Sequence, residues 1–68
     1  MKVFSIRIKE LRNEQGLTQK ELADKLQVSN SAVCDWERER TQPDLEMLVK
    51  LANLSGVTVD YLLGNADA

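Results

Sequence analysis

Apolar residues along this chain recur three and four positions apart and nowhere alternate strictly with polar ones. That is the helical period. Gly, Pro, Ser, Thr and Asp cut it into five short segments. Ser5 is placed to cap a first helix running to about Gln15, with Ile8 and Leu11 inward and Gly16 as its stop. Thr18 opens T-Q-K-E, a capping box in which Thr18 and Glu21 satisfy each other's amides. This second helix buries Leu22, Ala23 and Leu26, and Val28 lies in the turn after it. Ser29 caps a third helix to about Glu37 or Arg38, with Ala32, Val33 and Trp36 inward. Pro43 and Asp44 open a fourth helix, Pro43 suited to its first turn and Asp44 to its cap or first turn, with Leu45, Leu48, Leu51 and Ala52 inward. Gly56 ends it. Thr58 caps one or two further turns holding Tyr61, Leu62 and Leu63, and Gly64 stops them. The polar tail from Asn65 is expected to fray.

Helices of two or three turns are not stable alone in water, so all five must share a core. The expected core is Ile8, Leu11, Leu17, Leu22, Ala23, Leu26, Val28, Val33, Trp36, Leu45, Leu48, Leu51, Leu54, Val57, Val59 and Leu62. The expected fold is all-α, a compact five-helix bundle forming one domain over 1–68 with its core at 6–64. The unit at about 18–38 is helix, tight turn, helix. Two helices joined by so short a turn cross steeply, and a small residue at Ala23 lets them approach. Val33 and Trp36 anchor the second of the pair. Asn30, Ser31, Cys34, Asp35 and Arg38 then face outward. A face of short polar side chains suits a helix that enters a major groove.

Composition narrows the function. Hydrophobic residues make up 43% and charged residues 29% of the 68, ordinary for a folded domain and too apolar for a disordered one. There is no histidine and a single cysteine, so the usual zinc sites and an intrachain disulfide are out of reach. No run approaches the roughly 18 apolar residues of a membrane span, and the start MKVFSIRIKE returns to charge too soon for a signal peptide. The glycines at 16, 56 and 64 form no phosphate-cradling loop. A cytoplasmic protein without enzymatic activity, cofactor, metal or small-molecule site is expected.

The formal charge of -2 argues at first against nucleic acid. It is unevenly spread: residues 1–40 hold eight Lys/Arg and seven Asp/Glu, a balance of +1, and residues 41–68 hold one Lys and four Asp/Glu, a balance of -3. Screening fades a surface field over about 8–10 Å, so the charge near the outward helix matters more than the total.

Five motifs occur in order: T-Q-K-E-L-A at 18–23, V-S-N-S-A-V at 28–33, W-E-R at 36–38, P-D-L-E at 43–46 and G-V-T-V-D-Y-L-L-G at 56–64. Together they resemble the lambda repressor-like and Cro-like (Xre-type) helix-turn-helix family over residues 6–64. The resemblance implies the same five-helix bundle and binding to double-stranded DNA. It makes Gln19 and Lys20 phosphate contacts, where a helix N-terminus also favours an anion. It makes Asn30, Ser31, Cys34 and Asp35 base readers, with Asn suited to adenine N6 and N7. Arg38, Arg40 and Thr41 match the loop that grips phosphate after the recognition helix. Arg12 and Glu37 match a charge pair joining the first and third helices.

Three positions depart from the family pattern. Gln27 and Glu39 stand where glycine is common, and a left-handed conformation at Gln27 costs about 1–2 kcal/mol relative to glycine. Asp35 replaces a neutral or basic residue; among phosphates it is repelled unless it accepts a bond from cytosine N4. Cys34 reads as a small groove-facing residue rather than a redox switch, and Trp36 as core rather than a stacking platform.

The expected function is a sequence-specific transcriptional regulator, a repressor from a bacterium or phage, binding a pseudo-palindromic operator through the helix at about 30–38. One such helix contacts about four or five base pairs, too few to single out a site in a genome, so a homodimer on half-sites about 34 Å apart is expected. Val57, Val59, Tyr61 and Leu62 are the expected dimer contact. The acidic total and Asp35 sustain a second reading, a protein-interaction module such as an antitoxin or adaptor.

Overall fold

Four of the five expected caps are formed as read. In a computed structural model describing residues 2–67, Thr18, Ser29, Asp44 and Thr58 each take extended backbone, and each side chain accepts a bond from the amide three residues on. The helices are α1 (Lys2–Glu14), α2 (Gln19–Leu26), α3 (Asn30–Glu37), α4 (Leu45–Ser55) and α5 (Val59–Leu63). No strand occurs among the described residues. Met1 and Ala68, the ends of the expected 1–68 domain, lie outside them. At α2 the capping box closes both ways: the Glu21 amide donates to Thr18 Oγ1 (3.0 Å), and the Thr18 amide to Glu21 Oε1 (2.9 Å). The bond from the Thr18 amide, followed by that from its side chain, holds the Glu21 carboxyl below its ordinary value. Each such cap contributes about 1 kcal/mol.

All five helices end in the same way. Gly16, Gln27, Glu39, Gly56 and Gly64 have positive φ. After each, the chain turns back so that the next amide reaches a carbonyl five residues behind: Leu17 to Arg12, Val28 to Ala23, Arg40 to Asp35, Val57 to Ala52 and Asn65 to Asp60. This closure needs a left-handed residue. Glycine supplies it three times. The two exceptions, Gln27 (φ 60°) and Glu39 (φ 62°), flank α3 on either side.

The buried core is Phe4, Ile8, Leu11, Leu22, Ala23, Leu26, Val33, Trp36, Leu48, Leu51, Ala52 and Leu62. Leu17, Val28, Met47, Val57 and Val59 pack against it half-buried. Two expected core residues are outside: Leu45 is 72% and Leu54 37% exposed. The inner stripe of α4 runs through Met47, Leu48, Leu51 and Ala52, which leaves Leu45 on a first turn projecting beyond the core.

The start of α1 differs from the expectation. Ser5 is an interior helix residue, buried, and its hydroxyl donates to the Trp36 carbonyl at 2.6 Å. The stripe Phe4, Ile8, Leu11 begins one residue ahead of the expected cap, and burial of Phe4 (1% exposed) outweighs the local capping preference of Ser5. Pro43 precedes the cap Asp44 rather than lying in the first turn. The tail is held as far as Ala66 rather than frayed, and its last residue, Ala68, lies outside the described residues. Arg7 Nη1 donates to the carbonyls of Tyr61 and Ala66 (2.9 Å to Ala66), and its guanidinium lies 4.1 Å from the Tyr61 ring centre. Gly64 packs so closely on α1 that a Cβ there would stand 2.8 Å from Val3 Cγ1.

Candidate nucleic-acid interface

α3 is presented by what lies behind it. Ala23 on α2 is 1% exposed, Val33 0% and Trp36 5%. The two helices therefore meet through small and apolar side chains. Lys50 Nζ donates to the Leu26 carbonyl (3.0 Å), tying the end of α2 to α4. At the other end of α3, Glu37 joins three elements. Arg12 Nε and Nη2 donate to its Oε2 and Oε1 at 2.7 and 3.2 Å, and Arg12 Nη1 donates to the Leu17 carbonyl at 2.7 Å. Gln19 Nε2 also donates to Glu37 Oε1 at 3.2 Å. The Arg12 and Glu37 side chains are 12% and 4% exposed, so the expected pair is present and largely out of water.

On the outer side Asn30, Ser31 and Arg38 are exposed, and Cys34 and Asp35 half-buried, as the helical spacing predicts. Their side chains, apart from Arg38, are short enough to let the α3 backbone approach a surface. The expected phosphate grips lie on two flanks. Gln19 and Lys20 start α2; Arg38, Arg40 and Thr41 follow α3 and are exposed. Lys20 pairs with Asp24 at 3.1 Å, with both side chains largely in water. Such a pair contributes little and yields readily to a phosphate. Gln19 is less free than expected: one of its amide hydrogens serves Glu37 inside the protein, which fixes where the other points. Arg40 Nη1 stands 3.8 Å from Asp35 Oδ1. Neither contact carries a signal in the sequence, because both depend on how α2 and the loop after α3 fold back.

The expected dimer contact needs a correction. Leu62 is 0% exposed within its own chain and cannot meet a partner; it anchors α5 from inside. Val57, Val59 and Tyr61 are half-buried, and Arg7 covers one face of Tyr61. Exposed apolar side chains lie instead at Val3, Ile6, Leu45, Val49 and Leu54. Among the described residues no helix is long and apolar enough to cross a membrane, and no three His, Cys, Asp or Glu side chains form a group that could hold a metal.

This geometry is shared with known proteins. A helix-turn-helix family model matches residues 8–62. The HTH-type transcriptional regulator ImmR of Bacillus subtilis is 48% identical over 58 residues, covering 85% of this chain and 46% of ImmR. The immunity repressor of Bacillus phage phi105 is 41% identical over 58 residues, covering 85% of this chain and 40% of that repressor. The chain thus spans less than half the length of these two relatives. Among solved structures, the P22 c2 repressor in complex with a synthetic operator superposes with a TM-score of 0.86 at 33% identity, over 93% of this chain and 96% of that one. The biofilm regulator SinR in complex with DNA gives 0.78 at 36% identity, over 88% and 97%.

Proposed function

Because the chain belongs to the helix-turn-helix family, we propose that it is a sequence-specific DNA-binding transcriptional regulator, a repressor. In this reading it lays α3 in the major groove of a pseudo-palindromic operator and binds there as a homodimer. It works in the cytoplasm, where bacterial and phage operators lie. The observation that carries the reading is the two-sided construction of α3. Its inner side is locked by Val33, Trp36 and the Arg12–Glu37–Gln19 bonds, and its outer side presents the short side chains of Asn30, Ser31, Cys34 and Asp35.

Asn30 is suited to the paired N6 and N7 of adenine, Ser31 to a donor or an acceptor, and Cys34 to the methyl of thymine. Gln19 and Lys20 before this face, and Arg38, Arg40 and Thr41 after it, grip phosphates on its two sides and set the register in which the bases are read. The similarity to a repressor and a biofilm regulator, both solved in complex with DNA, supports DNA binding. Val57, Val59 and Tyr61 are the proposed dimer contact.

Selection of binding sites from random duplexes at low salt tests the reading. The expected product is a palindrome with half-site centres about 34 Å apart. A pool that enriches no duplex would refute it and favour a module whose outer helix docks on a protein.

A further inference from the structure

Asp35 carries a negative charge on the face offered to the groove, where phosphates of both strands approach. Its carboxylate is one third exposed, and the Arg40 guanidinium stands 3.8 Å away. Helical continuation would not bring these side chains together, since residues five apart lie on different faces. The turn after α3 does. Glu39 takes a left-handed conformation (φ 62°), and the Arg40 amide returns to the Asp35 carbonyl at 2.9 Å. Arg40 is thereby folded back over the last turn of the helix. At 3.8 Å the contact is charge to charge rather than a hydrogen bond. The carboxylate keeps its lone pairs for another donor.

We infer that Asp35 and Arg40 act as one unit in DNA recognition: Arg40 supplies the counter-charge that lets Asp35 enter the groove, and Asp35 accepts a bond from a cytosine N4 amino group, specifying a C·G pair in each half-site. In the free protein the pair is exposed to water and weak. On DNA, water leaves the site and the charges act at lower dielectric. An unpaired Asp35 is then costly, and Arg40 contributes twice, to Asp35 and to a flanking phosphate. Arg40 is a positioning residue for Asp35 in this scheme, and its effect on affinity depends on the acid being present.

The inference rests on the DNA-binding reading, and one experiment separates the two. Sites are selected with the wild-type chain, Asp35→Asn, Arg40→Gln and the double variant, and each protein is then titrated on the wild-type site and its base variants. Circular dichroism checks that all four are folded. Wild type is expected to select cytosine at one position of each half-site, and Asp35→Asn to shift that position to adenine. Arg40→Gln should weaken wild type by about tenfold and the Asp35→Asn background by only about threefold, the coupling expected of neighbouring groups. Equal losses in the two backgrounds, or an unchanged base preference in Asp35→Asn, overturn the Asp35–Arg40 unit while leaving DNA binding intact. If the wild-type chain selects nothing, the DNA-binding reading itself falls.

Discussion

Gln27 and Glu39 hold left-handed conformations at positions where the other three helices use glycine. A residue with a Cβ costs about 1–2 kcal/mol there. Replacing it by glycine returns that strain but loosens the unfolded chain, at about 0.5–1 kcal/mol. The net gain expected from Gln27→Gly, and from Glu39→Gly, is about 0.5–1 kcal/mol each. A chain of this size has an unfolding entropy of roughly 0.14 kcal/mol/K at the midpoint, so each variant should raise Tm by about 4–7 °C. The two sites sit at opposite ends of α3, roughly 12 Å apart for eight residues at 1.5 Å each, so their effects should add. Thermal and urea unfolding followed by circular dichroism measure this, with an unchanged m-value as the sign that only stability has moved. Gln27→Ala and Glu39→Gln retain the Cβ and should gain nothing; the second also removes the charge and so separates it from the backbone effect. Glycine variants no more stable than wild type, or controls that gain as much, would refute the strain argument.

Three further outcomes follow from the packing. Glu37→Ala leaves the Arg12 guanidinium, at 12% exposure, without its carboxylate, and urea unfolding should show a loss of about 3 kcal/mol or more. Gly64→Ala puts a methyl 2.8 Å from Val3 Cγ1 at a φ of +83°; it should cost about 1–2 kcal/mol in strain alone, and Val3→Ala should relieve the steric part of the loss in the double variant. The Glu21 carboxyl is held below its ordinary value near 4.5, first by the Thr18 amide. Its stabilisation is therefore present above that value and lost as pH falls through the lower, folded one; Glu21→Gln should lower the urea midpoint at pH 7, and the gap should close in acid.

Local chemistry made most of the fold legible. The caps at Thr18, Ser29, Asp44 and Thr58, and the left-handed stops, are decided by a few neighbouring residues, and the helices begin and end there. Ser5 misled because its capping preference is local while Phe4, one residue earlier, is claimed by the shared core. Leu45 and Leu54 fit the helical period of α4, but the period does not say how far a helix reaches past its neighbours. Leu62 is apolar and near the chain's end, features shared by interface and interior alike; only the packing of α5 on α1 and α4 separates them. The candidate interface was legible as a face of α3, since Asn30, Ser31, Cys34, Asp35 and Arg38 share it by spacing alone. What spacing did not show were its supports. Gln19 on Glu37 and Arg40 over Asp35 are long side chains whose partners are set in three dimensions.

In the proposed reading, α3 reads DNA from a frame of phosphate contacts. Affinity for the selected operator and for its single-base variants, measured across salt concentrations for wild type, Asn30→Ala and Arg38→Ala, tests it most directly. Asn30→Ala is expected to lose about 1–3 kcal/mol of discrimination at one base position. Arg38→Ala should weaken every duplex alike and lower the salt slope by about one. Binding by both variants that matches wild type in affinity, base preference and salt slope would contradict it.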